Sequence, residues 1–136
     1  MLIAMAQAPN TLADFRLVVV DDSDFARAQV ISLLKQHGLT VVAEASSAED
    51  ALRQIKDKKP HLVLTDIVMP DISGIQLTEK IMSEFMDTGV IVLSSLQHEQ
   101  VVLESIAAGA ADFVAKPIKP QQLIEAVEKY LKGISK

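Results

Sequence analysis

The sequence contains neither cysteine nor tryptophan, and aromatic residues make up only 4% of its 136 residues. The absence of cysteine excludes a disulfide framework, a zinc–thiolate site and a cysteine nucleophile. It also fits a reducing compartment, and we expect a cytoplasmic protein. Long hydrophobic runs are missing too, because the apolar runs have the length of strands and fall well short of the roughly 18 residues that a membrane helix needs. We therefore expect no membrane segment.

The sequence also has fewer basic than acidic residues. Thirteen Lys and Arg residues stand against eighteen Asp and Glu residues, which gives a formal net charge of −5. Nucleic-acid binding needs a basic surface, so this balance argues against nucleic acid as the main partner. An acidic chain suits a cation ligand or a basic partner surface instead.

The length fits one domain, because domains commonly have about 150 residues. A chain of this size can bury a core without disulfides or a structural metal. The apolar residues 1–8 lack the Lys or Arg that opens a signal peptide. We predict a flexible N-terminal lead-in at residues 1–13 and a single domain at residues 14–136, with no effector domain attached.

Strand and helix patterns alternate five times along the chain. The predicted strands are short and mostly apolar, at residues 16–20, 40–45, 61–66, 90–94 and 111–115. The predicted helices carry apolar residues at helical spacing, at residues 23–36, 46–59, 75–85, 101–108 and 120–132. Gly38 and Gly109 are expected to end the first and fourth helices, and the fifth helix is expected to end before Gly133. The first helix carries Phe25 in its apolar pattern.

The residue pattern within the strands indicates the fold class. Residues 17–20 and 90–93 are apolar throughout and do not alternate with polar residues. Such strands are buried on both faces, as in a parallel sheet that helices cover on two sides. We predict an α/β fold in which a five-stranded, parallel, doubly wound (βα)5 sheet forms the middle of three layers.

Polar side chains follow four of the predicted strands, namely Asp21, Asp22, Asp66, Ser94 and Lys116. Parallel sheets of this kind bind ligands beyond the carboxyl ends of their strands. Three close carboxylates repel one another unless a cation or a proton compensates, and their hard oxygen atoms suit Mg²⁺. With an ammonium and a hydroxyl nearby, the set favours phosphoryl transfer to a carboxylate, which would form an acyl phosphate. Each residue alone also fits a helix cap or a solvated turn, so the prediction depends on their coincidence.

Four stretches of sequence then identify a family. They read VVVDD at residues 18–22, DIVMPDISG at 66–74, VLSS at 92–95 and GAADFVAKP at 109–117. In order and spacing, the chain resembles the receiver domains of two-component response regulators from about residue 16 to residue 131. It is most similar to the single-domain, CheY-like form, often of the chemotaxis type, which has a flavodoxin-like (βα)5 fold.

The resemblance implies a role for each residue of the site. Asp66 would be the phosphoacceptor, which attacks a phosphohistidine on a sensor histidine kinase. Asp21, Asp22 and Asp66, together with the backbone carbonyl of Val68, would hold Mg²⁺ (or Mn²⁺). Lys116 would contact the phosphoryl group. The chain would be a single-domain regulator of a two-component phosphorelay.

The resemblance also implies how the signal would leave the site. Ser94 would hydrogen-bond the phosphoryl group, and Phe113 would turn inward when the Ser94 hydroxyl moves. The peptide bond between Lys116 and Pro117 would be cis, which proline permits at low cost. The surface of the fourth helix, fifth strand and fifth helix would then bind a target protein. Its exposed residues are expected to include Gln100, Glu104, Gln121, Gln122 and Lys129.

Two apolar residues bear on the lifetime of the phosphoryl group. Val68 and Leu96 lie two residues after Asp66 and Ser94, at positions that influence dephosphorylation in the family. Neither side chain can position a water molecule by hydrogen bonding, so we expect a long-lived phosphoryl group. A phosphatase is a further expected partner, and the expected assembly state is a monomer or a weak dimer. Arg27 is expected to be exposed to solvent.

Other functions use similar residues. A phosphorelay intermediate would pass the phosphoryl group to a histidine phosphotransfer protein, and the sequence does not separate this from a terminal regulator. A haloacid-dehalogenase-like phosphatase usually carries a second Asp two residues after the first, where this chain has Val68. A flavin protein of the same fold needs a phosphate-binding loop where Asp21 and Asp22 would repel the phosphate. We therefore expect a switchable binding protein that catalyses only its own phosphorylation and dephosphorylation.

Overall fold

A computed structural model describes residues 11–96 and 98–135. Its elements are β1 (Arg16–Val20), α1 (Asp24–Gln36), β2 (Thr40–Ala45), α2 (Ala48–Lys58), β3 (Leu62–Asp66), α3 (Gly74–Glu84), β4 (Gly89–Ser94), α4 (Glu99–Ala107), β5 (Asp112–Ala115) and α5 (Pro120–Ile134). In this part of the chain the five strands form one parallel sheet in the order β2-β1-β3-β4-β5. The predicted fold class is confirmed.

The N-terminal part of the described chain is short. Residues Leu12–Asp14 form a 3-10 turn directly before β1, and Leu12 packs against the core. The rest of the predicted lead-in, residues 1–10, lies outside the described residues. Within the described ranges, no helix has both the length and the apolar content that crossing a membrane requires.

The core has two halves, one on each face of the sheet. Leu17 of β1 points to the face where α1 and α5 pack, and it shares a cluster with Leu34 of α1. Its neighbour Val18 points to the opposite face and shares a cluster with Ile55 of α2 and with residues of α3. Because successive side chains of a strand alternate between faces, an uninterrupted apolar strand fills both halves.

Parallel pairing brings the ends of the strands to one edge of the sheet. Asp66 pairs with Leu93 of β4, and Ser94 pairs with Ala115 of β5. We call the side where the strands end, together with the loops and helix starts that follow them, the carboxyl edge; its polar residues include Asp21, Asp22, Asp66, Ser94 and Lys116. We call the opposite edge, where the strands begin at Arg16, Leu62, Gly89 and Asp112, the amino edge.

Two glycines follow helices as predicted. Gly38 lies just beyond α1 with φ +76°, and Gly109 lies just beyond α4 with φ +112°. Side chains disfavour this left-handed region, whereas glycine enters it freely and lets the chain turn toward the next strand. At Gly109 an added Cβ would also overlap the side chain of Met82.

The predicted end of α5 before Gly133 is wrong. The helix includes Gly133 and continues to Ile134, and the backbone N–H of Ser135 still bonds to the carbonyl of Leu131. A glycine inside a helix costs only about 1 kcal/mol relative to alanine. The buried side chain of Leu131 holds the preceding turn against the sheet, which is enough to carry the helix past one glycine.

The apolar pattern of α1 is only partly buried. Val30 and Leu34 lie in the core, but Phe25 is 73% exposed. Phe25 lies in the first turn of α1, at the end of the helix that adjoins the carboxyl edge. The carboxyl edge therefore displays a large aromatic side chain to solvent.

Candidate functional site

Three carboxylates meet at the carboxyl edge. One oxygen atom each from Asp21, Asp22 and Asp66 lie within 4.8 Å of one another. Asp21 is only 3% exposed, whereas Asp22 is exposed and Asp66 is partly buried. Like charges so close together repel, and a cation between them would relieve the repulsion. The structure thus brings together the three carboxylates that the sequence placed after separate strands.

Lys116 balances part of this negative charge. Its Nζ donates to Oδ2 of Asp21 at 2.9 Å and to Oδ2 of Asp66 at 3.3 Å. Partial burial alone would lower the pKa of Lys116, but the hydrogen bond to Asp21 and the charge of Asp66 outweigh it, and the pKa is raised. The ammonium therefore stays charged and bridges two of the three carboxylates.

The backbone around Asp66 is tightly packed. Its Oδ1 accepts from the N–H of Ile67 at 2.7 Å, and its carbonyl accepts from Oγ1 of Thr65 at 2.9 Å. The first residue of α3, Gly74, lies directly against this carbonyl, so that an added Cβ there would overlap the Asp66 oxygen. A side chain at position 74 would push α3 away from the site, which explains why glycine stands there.

Asp21 is held from several sides. Its N–H donates to the carbonyl of Ala45 at 3.0 Å, and its Oδ1 accepts from the N–H of Ser23 at 2.9 Å. Its own carbonyl accepts from Nη1 of Arg27 at 2.7 Å. The expectation that Arg27 is solvated is wrong, since its side chain is only 13% exposed. Asp24, three residues before Arg27 on the same helix, is a local signal that the guanidinium is paired. The contact of Arg27 with the carbonyl of Asp21 arises only on folding.

The other predicted site residues lie along β4 and β5. Ser94 is fully buried, and its Oγ accepts from the N–H of Leu96 at 3.0 Å. The carbonyl of Ser94 accepts from the N–H of Lys116 at 2.8 Å, so the backbone links these two residues directly. The peptide bond between Lys116 and Pro117 is cis. Phe113 is partly buried and packs against the half of the core that contains α2 and α3.

A further carboxylate at this edge was not anticipated from the sequence. Asp71, in the loop between β3 and α3, accepts from the N–H groups of Ala48 at 3.0 Å and Glu49 at 2.8 Å. Desolvation would raise the pKa of Asp71, but these backbone hydrogen bonds outweigh it and the pKa is lowered. Asp71 therefore caps the start of α2 from a distant part of the chain. No local pattern signals a contact across more than twenty residues.

Exposed apolar side chains lie close in sequence to the residues of the polar centre. Phe25, Val68 and Leu96 are exposed, and Val68 is 59% exposed. A groove of ≈ 610 Å³ runs between α1 and the segment after β5, with Phe25 and Lys116 among its lining residues. Exposed apolar surface therefore adjoins Lys116, an arrangement that suits contact with another protein.

The residues present fit a magnesium ion. Mg²⁺ prefers hard oxygen ligands, usually one or a few carboxylates together with water and a phosphate oxygen. Asp21, Asp22 and Asp66 supply such oxygens, and the single ammonium of Lys116 leaves an excess of negative charge. For Val68, ligation through the backbone carbonyl stays a prediction.

Comparisons with known proteins agree with this geometry. The family model of the response regulator receiver domain matches residues 17–128. The chain is 35% identical over 117 residues to the chemotaxis protein CheY of Thermotoga maritima, covering 86% of this chain and 98% of that protein. It superposes with a TM-score of 0.83 and 28% identity on a chain of the CheX–CheY–BeF3–Mg²⁺ complex from Borrelia burgdorferi, covering 86% and 89% of the two chains. The chain also superposes, with a TM-score of 0.83 and 31% identity, on the receiver domain of the putative response regulator NarL from Mycobacterium tuberculosis. The match covers 88% of this chain and 97% of that one.

Proposed function

The chain belongs to the response regulator receiver family, and on that premise we propose that it is a single-domain regulator that accepts a phosphoryl group on Asp66. The donor would be a phosphohistidine of a sensor histidine kinase, in a pathway of the chemotaxis type. The location would be the cytoplasm, which suits a chain without cysteine. The observation that carries the proposal is the convergence of Asp66 with two further carboxylates and one ammonium at the carboxyl edge.

The chemical step needs a nucleophile and compensation of charge. A carboxylate oxygen of Asp66 would attack phosphorus, so that a P–O bond forms as the P–N bond to the kinase histidine breaks. The imidazole leaves with the bonding electron pair and takes up a proton, and Asp66 becomes an acyl phosphate. Lys116 would pair with the transferred phosphoryl oxygens, since its Nζ already lies 3.3 Å from Asp66.

Three carboxylates would hold the metal ion, namely those of Asp21, Asp22 and Asp66, with the carbonyl of Val68 as a further ligand. When bound, Mg²⁺ supplies positive charge that offsets the phosphoryl oxygens. The role of Asp21 would be to keep one ligand fixed, because its N–H, its carbonyl and both of its carboxylate oxygens are hydrogen-bonded. Asp22, which is exposed, leaves the site open to solvent and to a donor.

Uptake of phosphate from a small donor tests this chemistry directly. Purified protein is incubated with acetyl phosphate, with Mg²⁺ or with EDTA, and its intact mass is followed over time. We expect one phosphoryl group to be added in Mg²⁺ and none in EDTA. Uptake that is equally fast in both, or no uptake in either, would count against the proposal. Turnover of an unrelated phosphoester, measured in parallel, would instead favour a phosphatase.

The output surface would comprise α4, β5 and α5. Ser94 connects the phosphorylation site to the end of β5 through its backbone bond to Lys116, and Phe113 lies in β5, three residues before Lys116. An acyl phosphate carries about two negative charges where the Asp66 carboxylate carried one, and it places them farther from the backbone. Movement of the Ser94 hydroxyl toward it would loosen the bond to Leu96 and alter the start of α4, which would change the affinity for a target protein.

Backbone chemical shifts can follow this change without a known target. Beryllofluoride forms a stable analogue of the acyl phosphate, so the protein is compared with and without beryllofluoride and Mg²⁺. We expect shifts at Ser94 and Phe113 and along the exposed side of α4, including Glu104. Arg16 at the amino edge serves as the internal control and should not move. Shifts confined to the three carboxylates would contradict an output through this surface.

The residues two positions after Asp66 and Ser94 suggest a slow return to the resting state. Val68 and Leu96 are exposed beside the site, and their apolar side chains cannot orient a water molecule for attack on phosphorus. We expect the phosphorylated protein to lose its phosphoryl group slowly, and a separate phosphatase would then be needed to end the signal. Val68→Asn adds a polar side chain at the same place and should shorten the lifetime a few-fold. Equal lifetimes for the variant and the wild type would remove the support for this part of the proposal.

A further inference from the structure

The side chain of Arg27 joins three elements beside the proposed phosphorylation site. Its Nη1 donates to the carbonyl of Asp21 at 2.7 Å, and its Nε donates to Oε1 of Glu44 in β2 at 2.7 Å. Its Nη2 donates to Oδ1 of Asp24 in the first turn of α1 at 2.6 Å. Burial of most of the side chain leaves little freedom for other conformers. Two carboxylates thus orient the guanidinium through Nε and Nη2, and its third nitrogen atom, Nη1, donates to Asp21.

The carbonyl that Arg27 holds belongs to the peptide unit between two of the clustered carboxylates. A peptide unit is planar, so fixing the carbonyl oxygen of Asp21 also fixes the N–H of Asp22. The direction in which the Asp22 side chain leaves the backbone is thereby restricted. Asp22 is exposed, so this restraint comes from the backbone and does not depend on packing around its side chain.

We propose that Arg27 is a positioning residue for the cation site. It holds the peptide unit between Asp21 and Asp22 so that both carboxylates stay directed toward Asp66, and it thereby sets the affinity for Mg²⁺. Arg27 does not touch the ion in this scheme. The inference rests on the proposed function, because it assumes that the three carboxylates bind Mg²⁺.

The charge of Arg27 has an effect of the opposite sign. A guanidinium close to a divalent cation repels it, so removal of the charge alone would tighten Mg²⁺ binding. Loss of the restraint on Asp21 and Asp22 would weaken binding instead. The direction of the change in affinity therefore separates positioning from simple electrostatics.

Two substitutions at position 27 make this separation. Arg27→Met removes the charge and all three hydrogen bonds but keeps an apolar stem. Arg27→Lys keeps the charge, but one ammonium cannot reproduce the planar fork that reaches Asp21, Asp24 and Glu44 together. The matched control is Arg16→Met, because Arg16 donates to the backbone carbonyls of Lys58 and Lys59 at the amino edge, far from the site.

The primary measurement is calorimetric titration of the unphosphorylated protein with Mg²⁺. We expect both Arg27 variants to bind Mg²⁺ about 10-fold more weakly than the wild type, and Arg16→Met to bind as the wild type does. The second measurement is the rate of phosphorylation by acetyl phosphate as a function of Mg²⁺. The half-saturating Mg²⁺ concentration should rise by about the same factor, with a much smaller change in the maximal rate.

The outcomes separate this inference from the proposed function. If the wild type itself does not bind Mg²⁺, the proposed function fails. If the wild type binds Mg²⁺ and Arg27→Met binds it equally well or more tightly, the positioning role is overturned. A wild-type affinity in Arg27→Lys overturns it as well, since the hydrogen bonds of the planar fork would then not be needed. Should Arg27→Met fail to fold, as judged by circular dichroism, Arg27→Lys decides alone.

Discussion

At the carboxyl edge of the sheet, side chains of like charge face one another, whereas at the amino edge polar side chains bond to the backbone. Arg16 donates through Nη2 to the carbonyl of Lys59 at 2.8 Å, and Oγ1 of Thr88 donates to the carbonyl of Pro60 at 2.8 Å. The ring of His61 accepts from the N–H of Arg16 at 3.0 Å. At the amino edge, donors and acceptors are thus matched within the protein.

The contacts at the two edges of the sheet therefore have different roles. Matching at the amino edge closes the turns that lead into the strands and contributes to stability. At the carboxyl edge, three carboxylates share one ammonium, which leaves repulsion in the folded state. A fold commonly retains such a conflict where function requires it. Substitutions at the carboxyl edge should then affect chemistry more than stability, and substitutions at the amino edge should do the reverse.

The largest effect is expected for Lys116→Met. This change removes the cation that would pair with the phosphoryl oxygens, so phosphorylation by acetyl phosphate at saturating Mg²⁺ should slow by about 100-fold. Mg²⁺ should bind at least as tightly as in the wild type, because a competing positive charge is gone. The control is Lys119→Met, an exposed lysine just before α5, which should react like the wild type. A wild-type rate in Lys116→Met would contradict the expectation that substitutions at the carboxyl edge impair the chemistry.

A substitution at the amino edge should have the opposite profile. Thr88→Val keeps the shape of a buried side chain but removes the hydroxyl that donates to Pro60. We expect the free energy of unfolding to fall by about 2 kcal/mol, because a buried carbonyl loses its donor, while the phosphorylation rate is unchanged. Ser83→Ala, which removes an exposed hydroxyl bonded to a backbone carbonyl, is the matched control and should change stability by less than about 0.5 kcal/mol. A loss of phosphorylation in a fully folded Thr88→Val would contradict this division.

Asp71 sharpens the comparison, because it is a carboxylate at the carboxyl edge with a structural task. Asp71→Ala should lower the free energy of unfolding by about 1 kcal/mol at pH 7, with Mg²⁺ affinity unchanged, because the N–H groups of Ala48 and Glu49 lose their acceptor while the Ser47 cap of α2 remains. The folded-state pKa of Asp71 lies below its ordinary value of 3.8, so its contribution is present above that value and is lost as the pH falls below it. Denaturant unfolding of both proteins at a series of pH values measures this, and Asp57→Ala, an exposed acid in the last turn of α2, is the control. A difference between wild type and Asp71→Ala that grows toward acid pH would refute the capping role.

The sequence allowed the fold and the centre of the site to be predicted for a shared physical reason. A strand buried on both faces must be apolar along its whole length, as in residues 90–93, and this leaves a clear local pattern. In a parallel sheet the ends of such strands meet at one edge. Polar residues that follow separate strands, such as Asp21, Asp66 and Lys116, could therefore be placed together before any coordinates were known.

The features of the site that the sequence does not indicate depend on contacts between distant parts of the chain. Arg27 reads as a surface residue of a helix, and only folding brings Glu44 and the carbonyl of Asp21 to it. From the sequence, Asp71 is an ordinary acid in the loop after β3, although it accepts hydrogen bonds from the start of α2, which precedes β3 in the chain. Phe25 fits the apolar pattern of α1, but the pattern does not show that its side chain is exposed.

The position of the phosphoryl group is the most direct test of the account. Protein treated with acetyl phosphate and Mg²⁺ is reduced with borohydride, which converts an aspartyl phosphate to homoserine, and the modified residue is located by peptide mass spectrometry. Our account predicts modification at Asp66, dependent on Mg²⁺, and no modification in Asp66→Asn, while Asp71→Asn is modified like the wild type. Modification at another residue, or equal modification in Asp66→Asn, would contradict it.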